Sequence, residues 1–223
     1  MASSIVSRRS MLQTLAALAA SGMAPRPASA APADLRLPPG ATEERFDLEA
    51  HGIDDWIVVN GRWVVEEVGD APRGKRVLMQ RATGNEFNVI VAPVGPFLDV
   101  DVSVMFKPIS GKEDASGGIV VRFDRGRYYV ARANALEDNI RLYYFDRGRH
   151  QLASARVKPP SLGTWHTLRL QVIGDRLQTY LDGTLHLDRR DTRFGAGRVG
   201  LWTKADSITA FDDLVIRGVV SDR

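Results

Sequence analysis

Beyond residue 45 the apolar side chains of this chain return at every second position, and no segment of helical length shows a 3.6-residue period. That single feature confines the fold to β-structure. It is clearest between Tyr128 and Tyr144. Tyr129, Ala131 and Ala133 point one way there, and Tyr128, Val130, Arg132 and Asn134 the other. After a polar link from Asn134 to Asn139, Ile140, Leu142 and Tyr144 share a face, and Asn139, Arg141 and Tyr143 share the opposite one. Side chains of a strand alternate between the two faces of its sheet, so each segment has one buried side and one polar side. The polar side consists of arginine, asparagine and tyrosine, with no lysine.

The same alternation predicts strands over 63–67, 76–81, 87–92, 100–107, 118–123, 128–134, 139–145, 150–157, 166–173, 177–181, 185–188, 198–204 and 208–217. Asp124-Arg-Gly-Arg, Asp146-Arg-Gly-Arg, Gly174-Asp175 and Asp182-Gly183 separate successive strands. Glycine supplies the positive φ of a tight turn and aspartate caps it, so these are hairpin connections. Many short strands without βαβ units predict an all-β, two-sheet antiparallel β-sandwich. Ile119, Val121, Phe123, Tyr129, Ala131, Ala133, Ile140, Leu142, Val199 and Leu201 are expected between the sheets. Val100, Val102, Val104, Phe106, Leu168, Leu170 and Val172 supply the facing layer. The remaining positions of the central strands then form one outward surface: Arg122, Arg132, Asn134, Asn139, Arg141, Tyr143, Trp202 and Lys204.

Four segments are expected along the chain: residues 1–30, a lead-in over 31–44, a domain over 45–218 and a tail over 219–223. The first carries Arg8-Arg9, an apolar run through Ala24 and Ala28-Ser29-Ala30. Basic head, apolar middle and small-residue end make an export signal, and the paired arginines resemble the twin-arginine route. The expected location is therefore periplasmic or secreted, with no membrane attachment once the signal is removed. Three of the 30 basic groups lie in this segment, which holds no acid, leaving 27 basic against 27 acidic groups. A formally neutral body argues against nucleic acid as a partner, because binders need a surplus of cations to displace counterions. There is no cysteine, which excludes disulfides and thiolate metal sites. Oligomeric state is not legible at this level.

Three runs carry a resemblance: Tyr128–Tyr144; Thr164-Trp-His-Thr-Leu-Arg-Leu-Gln-Val, leading to Tyr180-Leu-Asp-Gly; and Gly197-Arg-Val-Gly-Leu-Trp-Thr-Lys-Ala-Asp, ending in Phe211-Asp-Asp-Leu. Together they resemble the concanavalin A-like, laminin G-like jelly roll, and within it exported bacterial proteins of the 3-keto-disaccharide hydrolase family. The resemblance covers roughly residues 45 to 217. It implies a carbohydrate partner, either a bound glycan or a cleaved 3-keto-glycoside. Hydrolase-like members carry a Tyr-Glu-x-Gln run in the middle strand, where this chain has Tyr128-Tyr129-Val130-Ala131. The Glu-x-Asp-x-Glu strand of family-16 glycoside hydrolases is also missing; Asp99-Val-Asp-Val is the nearest approach.

The candidate acids for catalysis are Glu137, Asp138 and Asp206. Glu137 and Asp138 are adjacent, so in extended chain they point apart and make a poor acid–nucleophile pair. The arginine row, with Trp202 or Tyr143 as a stacking platform, suits sugar hydroxyls or a carboxylate. The four histidines are isolated, without zinc spacing. No cofactor is expected; a divalent ion held through Asp206, Asp212 and Asp213 is the one metal option, against a plain role in turns and strand ends. These residues predict a domain that binds a glycan on a polar-aromatic concave sheet face. The alternatives are a 3-keto-glycoside hydrolase or lyase, and a protein–protein interaction domain in the envelope.

Overall fold

The computed structural model describes residues 35–221, and these contain fifteen strands and no helix. The signal-like segment and the first residues of the lead-in lie outside the described residues. In chain order the strands are β1 Thr42–Arg45, β2 Ile57–Asn60, β3 Trp63–Glu67, β4 Arg76–Gln80, β5 Asn85–Val91, β6 Phe97–Ser110, β7 Ser116–Asp124 and β8 Arg127–Asn134. They continue as β9 Asn139–Phe145, β10 Arg149–Arg156, β11 His166–Ile173, β12 Arg176–Leu181, β13 Thr184–Arg190, β14 Arg198–Ala205 and β15 Ile208–Val220. One sheet has the order β13-β12-β11-β6-β15-β4-β3, with β1 added along β15; the other runs β10-β9-β8-β7-β14-β5-β2. Every pairing is antiparallel. The result is a two-sheet β-sandwich with jelly-roll topology, as the alternation predicts.

The layer between the sheets is made by the alternating positions. Ile119, Val121, Tyr129, Ala131, Ala133, Ile140, Leu142, Val199 and Leu201 from one sheet meet Val100, Val102, Val104, Phe106, Leu168, Leu170 and Val172 from the other. Removing this apolar area from water is the main stabilising term, at roughly 25 cal/mol per Å². The two sheets approach closely at Gly117, where an added Cβ would sit 2.5 Å from the Phe106 ring.

Two strands escape the alternation argument. Thr42–Arg45 pairs with the end of β15 although it falls in the expected lead-in, and Ile57–Asn60 forms an edge strand on β5. Neither has one buried face: every residue of both is exposed. A segment held only by backbone pairing leaves no periodic signal.

A break in facing that reaches the predicted surface comes at β7. The β7–β8 register slips between Val121 and Asp124, and Arg122 takes φ of 52°. An extra residue in one strand reverses which side every later side chain faces. Phe123, expected in the core, therefore packs on the outer face against Tyr128. Arg122, expected on that outer face, turns to the edge of the sandwich instead. Its guanidinium donates to the carbonyls of Leu98, Phe194 and Gly174 at 2.6–3.1 Å. It ties the start of β6, the 191–197 loop and the β11–β12 turn together, and belongs to the scaffold.

Candidate functional site

The outer face of the seven-stranded sheet is built by alternation plus register. Asn139, Arg141, Tyr143 and Phe145 come from β9; Tyr128, Val130, Arg132 and Asn134 from β8; Ser116, Gly118 and Val120 from β7; Trp202 and Lys204 from β14. Arg132 stands directly opposite Arg141, and Trp202 opposite Gly118. A flat sheet would hold β5 and β9, four strands apart, about 19 Å from one another. Yet the Phe87 and Phe145 rings from those strands have centroids 5.6 Å apart. The sheet therefore curves toward this face, which is its concave side.

Half of the concavity is filled by aromatic rings. Phe87 stacks on Trp202 at 5.7 Å, Tyr128 stacks on Phe145 at 5.1 Å and on Phe123 at 5.9 Å. The Arg149 guanidinium lies over both Tyr143 and Phe87. Burial pushes the Tyr128 hydroxyl up to about 12, against the pull of Trp202 and Arg149. Trp202 is 0% exposed and Tyr143 3%, so neither is the open stacking platform expected from the sequence. Their ring faces are occupied by neighbours of the same chain.

The other half is polar, and here Arg132, Asn139, Arg141 and Tyr143 do converge. Two like charges directly opposite on neighbouring strands repel. Glu137 resolves that conflict: its Oε2 accepts from Arg132 Nη2 at 2.8 Å, from Asn139 Nδ2 at 2.9 Å, and lies 3.3 Å from Arg141 Nη2. The chain brings Glu137 there by a tight link in which Asn134 Oδ1 accepts the N–H of Leu136 and of Ala115. Asn134, expected to contact a ligand, is instead fully buried and shapes this link. Burial raises the Glu137 carboxyl, but the hydrogen bonds from Arg132 and Asn139 and the charges of Arg132 and Arg141 outweigh it and hold it below the usual range. Arg132 is itself buried, whereas the side chains of Arg141 and Glu137 are 30% and 36% exposed. The Tyr143 hydroxyl accepts from Arg141 at 3.3 Å.

Asp138 leaves this group and pairs with Arg156 at 2.9 Å. Asp206 is a staple: its carboxylate accepts the backbone N–H groups of Lys112, Glu113 and Asp114 at 2.6–3.0 Å. Burial raises it, and those backbone donors outweigh burial and lower it. What the staple positions is a carboxyl that sequence reasoning missed. Asp114 is 2% exposed, with Ser207 Oγ 3.1 Å from its Oδ1 and Lys204 Nζ 3.8 Å from its Oδ2. Burial pushes Asp114 up, more than Ser116, Arg132, Lys204 and Ser207 pull it down. In the sequence it is one acid in the loop Gly111-Lys-Glu-Asp-Ala, with no periodicity to mark it. Lys204 also pairs with Glu113 at 3.1 Å. Three cations, Arg132, Arg141 and Lys204, thus face three acids, Glu113, Asp114 and Glu137, at one end of the concave face.

Several donors in this group remain buried without a partner among the described residues: Arg132 Nε, Arg141 Nε and Asn134 Nδ2. An unpaired buried N–H costs about 1–3 kcal/mol, and here the deficit is gathered in one place. Among the described residues no group of three histidine or acidic side chains converges to hold a metal ion. Asp212 instead accepts the backbone N–H groups of Arg73 and Asp213, and Asp213 pairs with Arg45.

The fold and this face define a concanavalin A-like jelly roll with a charged, aromatic-flanked concave sheet. No protein-family model matches the chain. It is similar to the levanase of Bacillus subtilis (strain 168), with 25% identity over 150 residues, 66% of this chain and 20% of the levanase. The match therefore spans about a fifth of the length of that curated relative. Among solved structures, the carbohydrate-binding module CBM66 from Bacillus subtilis superposes with a TM-score of 0.61 and 23% identity, over 72% of this chain and 93% of the module. A Bacillus subtilis protein of unknown function with a galectin-like fold superposes with a TM-score of 0.59 and 15% identity, over 80% of this chain and 96% of the other. These likenesses establish the fold.

Proposed function

We propose that the domain is a non-catalytic carbohydrate-binding module whose ligand contacts the open edge of the Arg132–Glu137–Arg141–Tyr143 group. The observation that carries this is the exposed, hydrogen-bonding side of Glu137 and Arg141 at the end of a concave sheet. Such a pair offers fixed acceptors and donors to vicinal hydroxyls, and charged groups make the stronger hydrogen bonds. The balance of three cations and three acids suits a neutral sugar. The CBM66 module and the levanase, whose name specifies levan, support carbohydrate as the ligand class. Catalysis is the weaker reading. A general base works best with a pKa near the operating pH, and Glu137 is held ionised by two guanidinium groups while Asp114 is closed off from solvent.

The test is calorimetric titration with levan, other neutral glycans and 3-keto-glycosides, with turnover followed in parallel. Saturable binding is expected, weakened about tenfold or more in Arg141→Ala with the fold intact, the loss of a hydrogen bond to a charged group being about 1.5–3 kcal/mol. Turnover of a 3-keto-glycoside abolished in Glu137→Gln would overturn the module in favour of the enzyme. Failure to bind any glycan would leave a protein partner in the envelope as the better account.

Export through the twin-arginine route belongs to the same reading, and rests on Arg8-Arg9 and Ala28-Ser29-Ala30. Intact mass of protein from the envelope or medium is expected to show an N-terminus at Ala31. A chain beginning at Met1 and found only in cytosol refutes it.

A further inference from the structure

Three recesses adjoin one another at the end of the sandwich away from Glu137. The 190–193 segment lines the first with Asp175, the β7–β8 turn and the 193–196 loop line the second, and that turn lines the third with Pro96 and Arg198. The first two share Arg193, and the second and third share Asp124, Arg125 and Ala196, so they form one trough. From Arg127 to Asn134, β8 carries the chain roughly 23 Å from the trough to the link that holds Glu137. Every cation of the trough is arginine: Arg122, Arg125, Arg127, Arg190, Arg193 and Arg198. Only Asp124, Asp175 and Asp191 line it as acids. Asp124 is shared between Arg125 at 3.3 Å and Arg127 at 3.2 Å, while Asp175 pairs with Arg190 and Asp191 with Arg193. Arg122 and Arg198 meet no acid among the described residues. Arg122 is 2% exposed and donates to backbone carbonyls. A buried cation without a counter-ion is costly, and an anion bound beside it offsets that cost. The guanidinium groups of Arg127 and Arg193 lie over the Phe194 and Tyr144 rings at 5.9 and 4.2 Å, which holds both forks in place before a ligand arrives.

We propose that this trough binds an acidic polysaccharide, a linear chain of sugars bearing carboxylates, as a second site separate from the concave face. Planar guanidinium forks match carboxylates in bidentate geometry. The acids among the arginines narrow the choice further. Asp124, Asp175 and Asp191 repel a ligand that is anionic throughout, such as a nucleic-acid backbone. They accept hydrogen bonds from one whose charges are separated by hydroxyl groups, and a uronate chain has that alternation. A phospholipid surface is flat and stays outside a recess. The three recesses, of about 180 to 330 Å³ each, admit successive sugar rings. In a body whose acidic and basic groups otherwise balance, the local surplus of cations draws such a chain to this end of the molecule.

Calorimetric titration of the protein as recovered from cells with oligogalacturonate tests this, beside the fully methyl-esterified oligomer as the same chain without its charge. Saturable binding of the acid form is expected, with none of the ester, and it should weaken as salt rises. Arg125→Gln combined with Arg193→Gln is expected to weaken it about tenfold or more, with Tm and the titration by neutral glycans unchanged. Arg198→Gln leaves no acid unpaired and is expected to weaken binding in the same direction with the fold intact. Equal binding of the ester overturns the proposal. So does affinity indifferent to these substitutions, and so does the absence of binding up to about 1 mM oligomer. Tighter binding of double-stranded DNA, or of vesicles containing phosphatidylglycerol, than of oligogalacturonate overturns it as well.

Discussion

Arg122→Met is the sharpest test of the division between scaffold and site. The wild-type guanidinium makes four donor contacts to three backbone carbonyls on separate segments, at 3.1 and 2.8 Å to Leu98, 2.9 Å to Phe194 and 2.6 Å to Gly174. A hydrogen bond to a charged group is worth about 1.5–3 kcal/mol net, but these four share one cation and do not add fully. Burial also lowers the Arg122 pKa, outweighing the neighbouring Tyr129, Asp99 and Asp175, so removing the charge returns part of its desolvation cost. Methionine keeps the length of the side chain and supplies no donor. A net loss of about 3 kcal/mol is expected, which at 2–4 °C per kcal/mol for a domain of this size lowers Tm by about 6–12 °C. Urea unfolding followed by tryptophan fluorescence measures it. Sugar binding by the folded variant is expected to be unchanged. A loss below about 1 kcal/mol, or affinity reduced with stability intact, refutes the scaffold assignment and returns Arg122 to the ligand surface.

Glu137 couples the site to acid. Its folded carboxyl lies below the ordinary glutamate value of 4.5, so its contribution to stability is complete above pH 4.5 and disappears as pH falls through the lower folded value. Glu137→Gln is expected to flatten the stability profile below pH 4.5 and to lower stability at neutral pH; a variant whose acid limb matches wild type refutes the clamp. Asp206→Ala frees three backbone N–H groups in the 112–114 loop, and about 1–2 kcal/mol should be lost together with amide-exchange protection there. Unchanged protection refutes the staple. Gly117→Ala drives a methyl into the Phe106 ring, where an added Cβ has only 2.5 Å, and overpacking of this kind costs about 1–3 kcal/mol; calorimetric melting indistinguishable from wild type shows that the sheets yield.

Alternation alone determined most of this architecture. From Val100 onward the core-facing set was legible because a strand between two layers must bury every second side chain, and Tyr129, Leu142 and Leu170 do so. The turn glycines and aspartates were legible for the same local reason: backbone of positive φ needs particular residues. The convergence of Arg132, Asn139, Arg141 and Tyr143 also followed from parity, once β8 and β9 were taken as neighbours. Tertiary structure decided what parity does not encode. One extra residue at Arg122 reversed the facing of Phe123, and a slip of register carries no signature in composition. β1 and β2 were hidden because backbone pairing, not an apolar face, holds them. Curvature of the sheet turned Trp202 from an outward residue into one enclosed under Phe87, since two rings from strands four apart can meet only across a bend. Asp114 reached the site through a loop held by Asp206, over ninety positions away. Local sequence sets which way a side chain points; which charges and rings then share one space depends on contacts between distant segments, and only the folded chain brings those together.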